Sequence, residues 1–242
     1  MELSTNDGPS DWAEKGLGDL ASFRTGPFGS SLHKSDYVDG GIPLVNPMHI
    51  VNGQIVPTRS MAVSPGTAER LADFALRRDD IVLGRRGEMG RCAVVSEREV
   101  GWLCGTGSLI VRPNEGVSSD FLQRVLASPQ VVALIEGASV GSTMVNLNQG
   151  ILRSVQIPAP PPAEQRAIAE ALSDVDALIA ALGALIAKKR AVKTAAMQQL
   201  LTGRQRLPGF SEEWASVVLS DVGTFTKGRG IRKDEVSPDG SP

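Results

Sequence analysis

The sequence is poor in several residue types, and each shortage excludes a class of protein. Aromatic residues make up 4% of its 242 positions, with a single tyrosine, Tyr37. A platform that stacks successive bases of a single strand needs more rings than that. There are two cysteines, Cys92 and Cys104, and two histidines, His33 and His49. These are too few and too scattered for a zinc site or a disulfide framework, so reduced thiols and no metal are expected. Positive charge is not in excess either. Lys and Arg number 25 against 27 Asp and Glu, a formal net charge of −2. That excludes a basic coat over the whole surface, though not a locally basic face. No apolar run reaches the roughly 18 residues of a membrane span, and the polar start, Met1 to Asp11, lacks the apolar segment of a secretory signal. A soluble, cytoplasmic protein is expected.

What is present is ordinary globular composition, 41% hydrophobic and 21% charged, arranged in two styles. Residues 12–157 read as a mixed α/β (α+β) domain. Short apolar runs bounded by Gly, Pro, Asn and Asp predict strands at Ile42–Val45, Ile81–Leu83, Arg91–Val95, Ser108–Val111 and Val155–Ile157. Ser118 is placed to cap one helix carrying Phe121, Leu122, Val125 and Leu126 on one face. Ser128-Pro129 opens a second, with Val132, Leu134 and Ile135, that stops at Gly137. Then Pro158-Ala159-Pro160-Pro161-Pro162 makes a stiff exit, because proline can continue neither helix nor central strand.

From Ala163 to Leu201 the chain is unbroken helix former, a rod of roughly 57 Å at ~1.5 Å per residue. Ile168, Leu172, Val175, Ile179, Leu182 and Ile186 recur at alternating spacings of four and three, the seam of a coiled coil. Leu178, Leu185 and Val192 form a second stripe beside it, so the apolar face is broad enough to need at least one further helix as cover. Acids (Glu164, Glu170, Asp174, Asp176) crowd the first half of the rod. Lys188, Lys189, Arg190 and Lys193 follow in the second, in keeping with the helix dipole and with either a solvated end or a partner or phosphate contact.

An internal repeat gives the strongest signal. Trp12, Leu17, Asp19, Leu20, Phe23 and Gly26 are matched by Trp214, Leu219, Asp221, Val222, Phe225 and Gly228, each pair 202 positions apart (214 − 12 = 202). After a three-residue deletion, Lys34, Gly41 and Pro43 fall on Lys233, Gly240 and Pro242. A second unit therefore begins near Trp214, and position 242 falls inside its first loop.

A globular unit, a long helix and the start of the same unit again is the plan of the specificity subunits of type I restriction-modification systems, which this chain resembles. The resemblance rests on Trp12 with Leu17-Gly-Asp-Leu20 and Gly26, on Tyr37 with Gly41-Ile-Pro43, and on Asp80-Ile-Val-Leu-Gly-Arg-Arg-Gly87 with Gly90. It continues in Gly141-Ser-Thr143 with Asn146-Leu-Asn148, and above all in Ile157-Pro-Ala-Pro-Pro-Pro-Ala-Glu164-Gln165 leading into the helix. At the far end it includes Met197-Gln-Gln-Leu-Leu-Thr-Gly203, Arg206-Leu-Pro-Gly-Phe210 and Trp214. A family member normally carries two recognition domains and two spacer helices, whereas this chain holds one set and the start of another. The expected division is a target-recognition domain at 1–157, the Pro-rich exit and spacer or dimerisation helix at 158–206, and the start of a second recognition domain at 207–242.

The resemblance implies that the globular domain reads one half of a split duplex DNA target. The helix would pack as a spacer and dock methyltransferase (M) subunits, with a restriction (R) subunit as a further partner in systems that cut. Catalysis and S-adenosylmethionine would belong to the methyltransferase partner, and this chain would need no cofactor. A half-length chain would form a homodimer through Ile168, Leu172, Val175, Ile179, Leu182 and Ile186. For phosphate positioning the candidates are Ser30, Ser31 and Lys34, with Ser142 and Thr143, where small residues let backbone amides approach an oxyanion. For base edges they are Arg85, Arg86, Asn146 and Asn148, since a guanidinium suits guanine and an amide suits adenine. Surface charge for the arginines and turn chemistry for the asparagines are the alternatives.

Catalytic alternatives are weaker. Asn46-Pro47-Met48-His49 resembles the Asn-Pro-Pro-aromatic loop of adenine methyltransferases but lacks the second proline and the ring. Gly84-Arg-Arg-Gly-Glu-Met-Gly90 lacks the Gly-Lys-Ser/Thr ending of a phosphate loop. The competing readings are a non-catalytic protein-interaction scaffold that has lost specific DNA binding, and an enzyme with a degenerate methyltransferase-like site.

Overall fold

A computed structural model describes residues 12–138, 147–228 and 230. In chain order the elements are β1 (Ala13–Gly16), α1 (Leu17–Leu20), β2 (Ala21–Thr25), β3 (Tyr37–Val38), β4 (Ile42–Val45), β5 (Ile50–Val51), β6 (Gln54–Ile55) and β7 (Ala62–Val63). There follow α2 (Pro65–Arg70), β8 (Ile81–Gly84), β9 (Cys92–Val94), β10 (Leu103–Cys104), β11 (Ser108–Pro113), α3 (Ser119–Ala127) and α4 (Pro129–Ala138). The chain continues with α5 (Gln149–Ser154), β12 (Gln156–Ala159), α6 (Pro162–Leu200) and α7 (Leu219–Val222). It falls into two compact units, the first ending at Leu178 and the second beginning at Ile179.

The first unit is a mixed α+β domain built on an antiparallel sheet of order β2-β11-β8-β9. Its central strands are apolar on both faces because both faces are covered, so their sequences run continuously hydrophobic instead of alternating. Ile81, Leu83, Leu109 and Val111 point into a core closed by Leu17 and Leu20 of α1, Leu122 and Leu126 of α3, Ile135 of α4 and Leu152 of α5. Val82, Ala93 and Ile110 point the other way, onto Val45, Ile50, Ile55, Leu76 and Cys104. A second sheet, β10-β4-β7-β3, lies beyond, with β10 and β4 parallel. β1 and β12 pair antiparallel, so the two ends of the domain sit side by side.

The predicted strands at Ile42, Ile81, Arg91 and Ser108 correspond to β4, β8, β9 and β11, and the last predicted strand to β12, one residue later. Both serine caps form. The Ser118 hydroxyl accepts from the Phe121 N–H at 3.3 Å and the Ser128 hydroxyl from the Val131 N–H at 3.3 Å. α4 runs past the expected stop at Gly137 to Ala138. α6 is continuous over 39 residues. Of the predicted packing residues on it, Ile168 is half-buried while Leu172, Val175, Ile179, Leu182 and Ile186 are exposed.

In the second unit the helix ends where Gly203 takes φ +71, a conformation that favours glycine at a helix terminus. Beyond it the Arg206 guanidinium lies 5.6 Å over the Trp214 ring, next to an apolar cleft of ≈ 320 Å³ lined by Leu200, Leu201, Leu207 and Phe210.

Candidate nucleic-acid interface

The register of the main sheet brings four loops to one edge. Leu109 pairs with Thr25, Ser108 with Gly84 and Leu83 with Cys92. The chain therefore leaves β2 and β8, and enters β9 and β11, at the same end. Segments 26–36, 85–91 and 105–107 emerge there together. Residues 147–149 join them, with the Leu147 N–H donating to the Arg85 carbonyl at 3.0 Å and Gln149 Nε2 donating to Thr25 Oγ1 at 3.2 Å. The backbones are closely packed, and a Cβ on Gly26 would collide with the Gly105 carbonyl. The cations on these segments are Lys34, Arg85, Arg86 and Arg91, against the acids Asp36 and Glu88. A chain that is acidic overall thus carries a locally basic edge.

Arg85 is half-buried and firmly held. Its N–H donates to the Gly107 carbonyl at 2.9 Å and its Nε to the Leu147 carbonyl at 3.0 Å. Burial first, and then the neighbouring Arg86, lower the Arg85 pKa from its ordinary value. Arg86 is exposed at the tip of the same loop. Ser30 and Lys34 are exposed and Ser31 half-buried, in two successive 3-10 turns. Arg70 of α2 pins that loop, donating to the Ser31 carbonyl at 2.6 Å and to Asp36 Oδ1 at 3.1 Å. Asp36 also accepts the His33 N–H at 2.7 Å, and this bond is the main cause of its lowered pKa.

Asn148 is the N-cap of α5. Its Oδ1 accepts the Ile151 N–H at 3.0 Å, so turn chemistry accounts for that oxygen, and the residue is exposed. Ser142, Thr143 and Asn146 lie outside the described residues.

Several residues at this edge escaped the sequence reading. Arg91 donates to the Pro47 carbonyl at 3.5 Å and pairs with Glu88. Asn46 Oδ1 accepts the Gly107 N–H at 3.3 Å and so braces the Gly105-Thr106-Gly107 turn. The signals were present, a Gly-x-Gly turn and an asparagine before a proline, but neither spacing says which loop lies opposite. Asn46-Pro47-Met48-His49 is such a brace in the structure. The Asn46 N–H donates to His49 Nδ1 at 3.1 Å, and Nε2 of the same buried ring meets Thr58 Oγ1 at 3.1 Å. Burial lowers the His49 pKa, which favours the neutral imidazole.

At the opposite end of the sheet, buried Asp80 accepts two bonds of 2.7 Å from Arg112 and a third of 2.8 Å from the Arg77 N–H. The pairing raises the Arg112 pKa. This group ties β8 to β11 and leaves no carboxylate oxygen free for chemistry. The free thiols Cys92 and Cys104 are buried, which pushes Cys92 up to about 12 and Cys104 higher still, so neither is a nucleophile. No helix among the described residues is long and apolar enough to cross a membrane.

The first unit is thus a mixed-sheet domain with a basic loop edge at one end of its main sheet, and the long helix starts near the other end. The same fold occurs in the HsdS subunit from Thermoanaerobacter tengcongensis, with a TM-score of 0.54 and 22% identity over 74% of this chain and 41% of that one. Residues 9–188 match the family model of the type I restriction modification DNA specificity domain, and the chain belongs to that family. Two relatives come from Methanocaldococcus jannaschii. The type I restriction enzyme MjaIX specificity subunit is 28% identical over 178 residues, covering 71% of this chain and 39% of the relative. The putative type I restriction enzyme MjaX specificity subunit is 25% identical over 233 residues, covering 90% and 54%. The chain spans about half the length, or less, of these curated relatives.

Proposed function

We propose that this chain is a non-catalytic DNA sequence-recognition subunit of a type I restriction-modification complex. Residues 1–157 read one half-site of duplex DNA, the helix within 158–206 acts as spacer and docks methyltransferase subunits, and 207–242 begin a second recognition domain. S-adenosylmethionine and the adenine chemistry belong to the methyltransferase partner. The observation that carries this reading is the basic loop edge. It offers exposed Arg86 and braced Arg85 on one loop, with exposed Lys34 and small-residue turns on the segment that leaves β2 at the same end, as base readout and phosphate positioning require.

Equilibrium binding of half-site duplexes by the assembled complex tests it. Arg86→Ala is expected to cost about 1–3 kcal/mol on the cognate half-site and little on others, as for a bidentate base contact. Lys34→Ala is expected to weaken all sequences alike and to lower the salt slope by about one. If neither change alters affinity, the loop edge is not the DNA face.

The exposed seam on α6 supports a second part of the reading, association through Leu172, Val175, Ile179, Leu182 and Ile186. A two-fold pair of this chain would cover both seams and present two identical heads to an inverted repeat. Each fully buried side chain would contribute ~1.5–3 kcal/mol. Sedimentation is expected to show a dimer at micromolar concentration and a monomer for Leu182→Asp. A monomeric wild type would assign the seam to the methyltransferase subunit instead.

A further inference from the structure

The exit of the long helix from the domain is fastened by polar groups on a face distinct from its apolar seam. Gln165 is 3% exposed, although glutamine is rarely buried. Its Oε1 accepts the Ser118 N–H at 3.0 Å, and its Nε2 donates to the Pro160 carbonyl at 2.9 Å. One side chain thereby joins the last prolines of the exit, the first turn of α6 and the N-cap of α3. Ala169, one turn on, is also buried. Two further turns along, Arg124 of α3 donates to Asp176 at 2.5 Å and to the Ser173 hydroxyl at 3.3 Å. Residues 165, 169, 173 and 176 form one stripe of the helix. At 3.6 residues per turn this stripe lies about a quarter turn away from the seam of Leu172, Val175 and Ile179. The helix is thus held by its own domain along one stripe while the seam stays open to a partner.

We infer that Gln165, with the Arg124–Asp176–Ser173 clasp, positions the spacer helix on the reading head, and so fixes the half-site separation the assembled subunit accepts. The second clause rests on the DNA-reading function and the two-fold pairing proposed above; the first stands on the contacts alone. Ser118 presents its N–H to Gln165 while its hydroxyl caps Phe121, so the first turn of α6 is tied to α3, which packs under the main sheet. Directional bonds from one buried amide to two backbone groups hold a single orientation.

The test measures distances in the full chain between spin labels at Asp39→Cys and Ala177→Cys, both exposed and both in the first unit, the native thiols being buried. A narrow distribution is expected for the parent, and a broad or bimodal one for Gln165→Leu and Arg124→Ala. Asp176→Ala, a change confined to the exposed side of the clasp, is expected to broaden it less and guards against a misfolded core variant. Unchanged widths in Arg124→Ala and Asp176→Ala would overturn the inference. In the complex with methyltransferase subunits, moving the half-sites by half a helical turn is expected to cost the parent about a hundredfold in affinity, the low end of what simultaneous engagement contributes. Gln165→Leu is expected to cut that penalty below about tenfold with single half-site affinity unchanged. An undiminished penalty would overturn the link to spacing. Absence of DNA binding by the parent complex would overturn the proposed function and leave the clasp to be judged on the distances.

Discussion

The two copies of the repeated motif share a local structure and have opposite surroundings. α1 covers Leu17–Leu20 and α7 covers Leu219–Val222, the same turn 202 residues later. In both, the residue after the helix donates its N–H to the carbonyl of the first helical leucine, Ala21 to Leu17 and Gly223 to Leu219. Yet Leu17 is 1% and Phe23 7% exposed, whereas Leu219 and Phe225 are 69% and 70% exposed. The same turn is thus written into six or so residues of each copy. Burial is not. In the first copy it requires β11 alongside β2, α5 against α1 and β12 paired with β1, all from residues about 90 to 145 positions further on. The motif is a docking piece, stable in shape and dependent on distant strands for its energy.

The sharpest way to break this comparison is to truncate matched leucines. Leu17→Ala is expected to lower unfolding stability by about 2–5 kcal/mol, the usual cost of a cavity at a fully buried leucine. Leu219→Ala should change it by less than about 0.5 kcal/mol, as for an exposed site. Urea denaturation of the full chain checks both, and equal effects would mean that the second copy is buried in solution. A smaller contrast is expected at the matched glycines. An alanine Cβ at Gly26 meets the Gly105 backbone, which cannot yield as a side chain would, and a cost of about 1–3 kcal/mol is expected. At Gly228 nothing lies near the added carbon, so alanine there should be neutral or slightly stabilising, by up to about 1 kcal/mol.

How much of the molecule was legible in the sequence follows the same division. The elements that local pattern specifies were readable. These are the apolar strands β4, β8 and β11, the serine caps of α3 and α4, and the long helix with its open seam. β2 was not, because Ala21-Ser-Phe-Arg-Thr25 alternates over only five residues with just Ala21 and Phe23 apolar, and it owes its strand to β11. The two-residue strands β3, β5, β6, β7 and β10 are too short for any period to register. Of the proposed DNA-contacting residues, Arg85, Arg86 and Asn148 were findable by residue type, yet type could not distinguish their roles. Arg85 binds the Leu147 carbonyl and Asn148 caps a helix, while Arg86 stays exposed. The brace from Asn46 to Gly107 joins positions 61 apart, and Gln165 joins Ser118 across 47. Such pairings depend on the fold and leave no trace in spacing.

The mildest test concerns the aspartates at the centre of each copy. Asp19 Oδ2 accepts the Gly16 N–H at 3.2 Å, and its carbonyl accepts Asn114 Nδ2 at 2.9 Å, so it both closes the turn and receives the end of β11. In the second copy Asp221 accepts only the neighbouring Ser220 hydroxyl, at 3.3 Å, among the described residues. Replacing Asp19 with Ala removes the acceptor for an orphan N–H at a helix start, a change that costs about 0.5–2 kcal/mol in comparable caps. The Asn114 bond goes to the backbone and survives, which keeps the expected loss in the lower half of that range. Asp221→Ala removes no bond to the backbone and should fall within about 0.5 kcal/mol of the parent. If Asp221→Ala instead matches Asp19→Ala in thermal unfolding, the aspartate is fixing the turn in both copies by itself. The burial of the first copy would then add nothing to its importance.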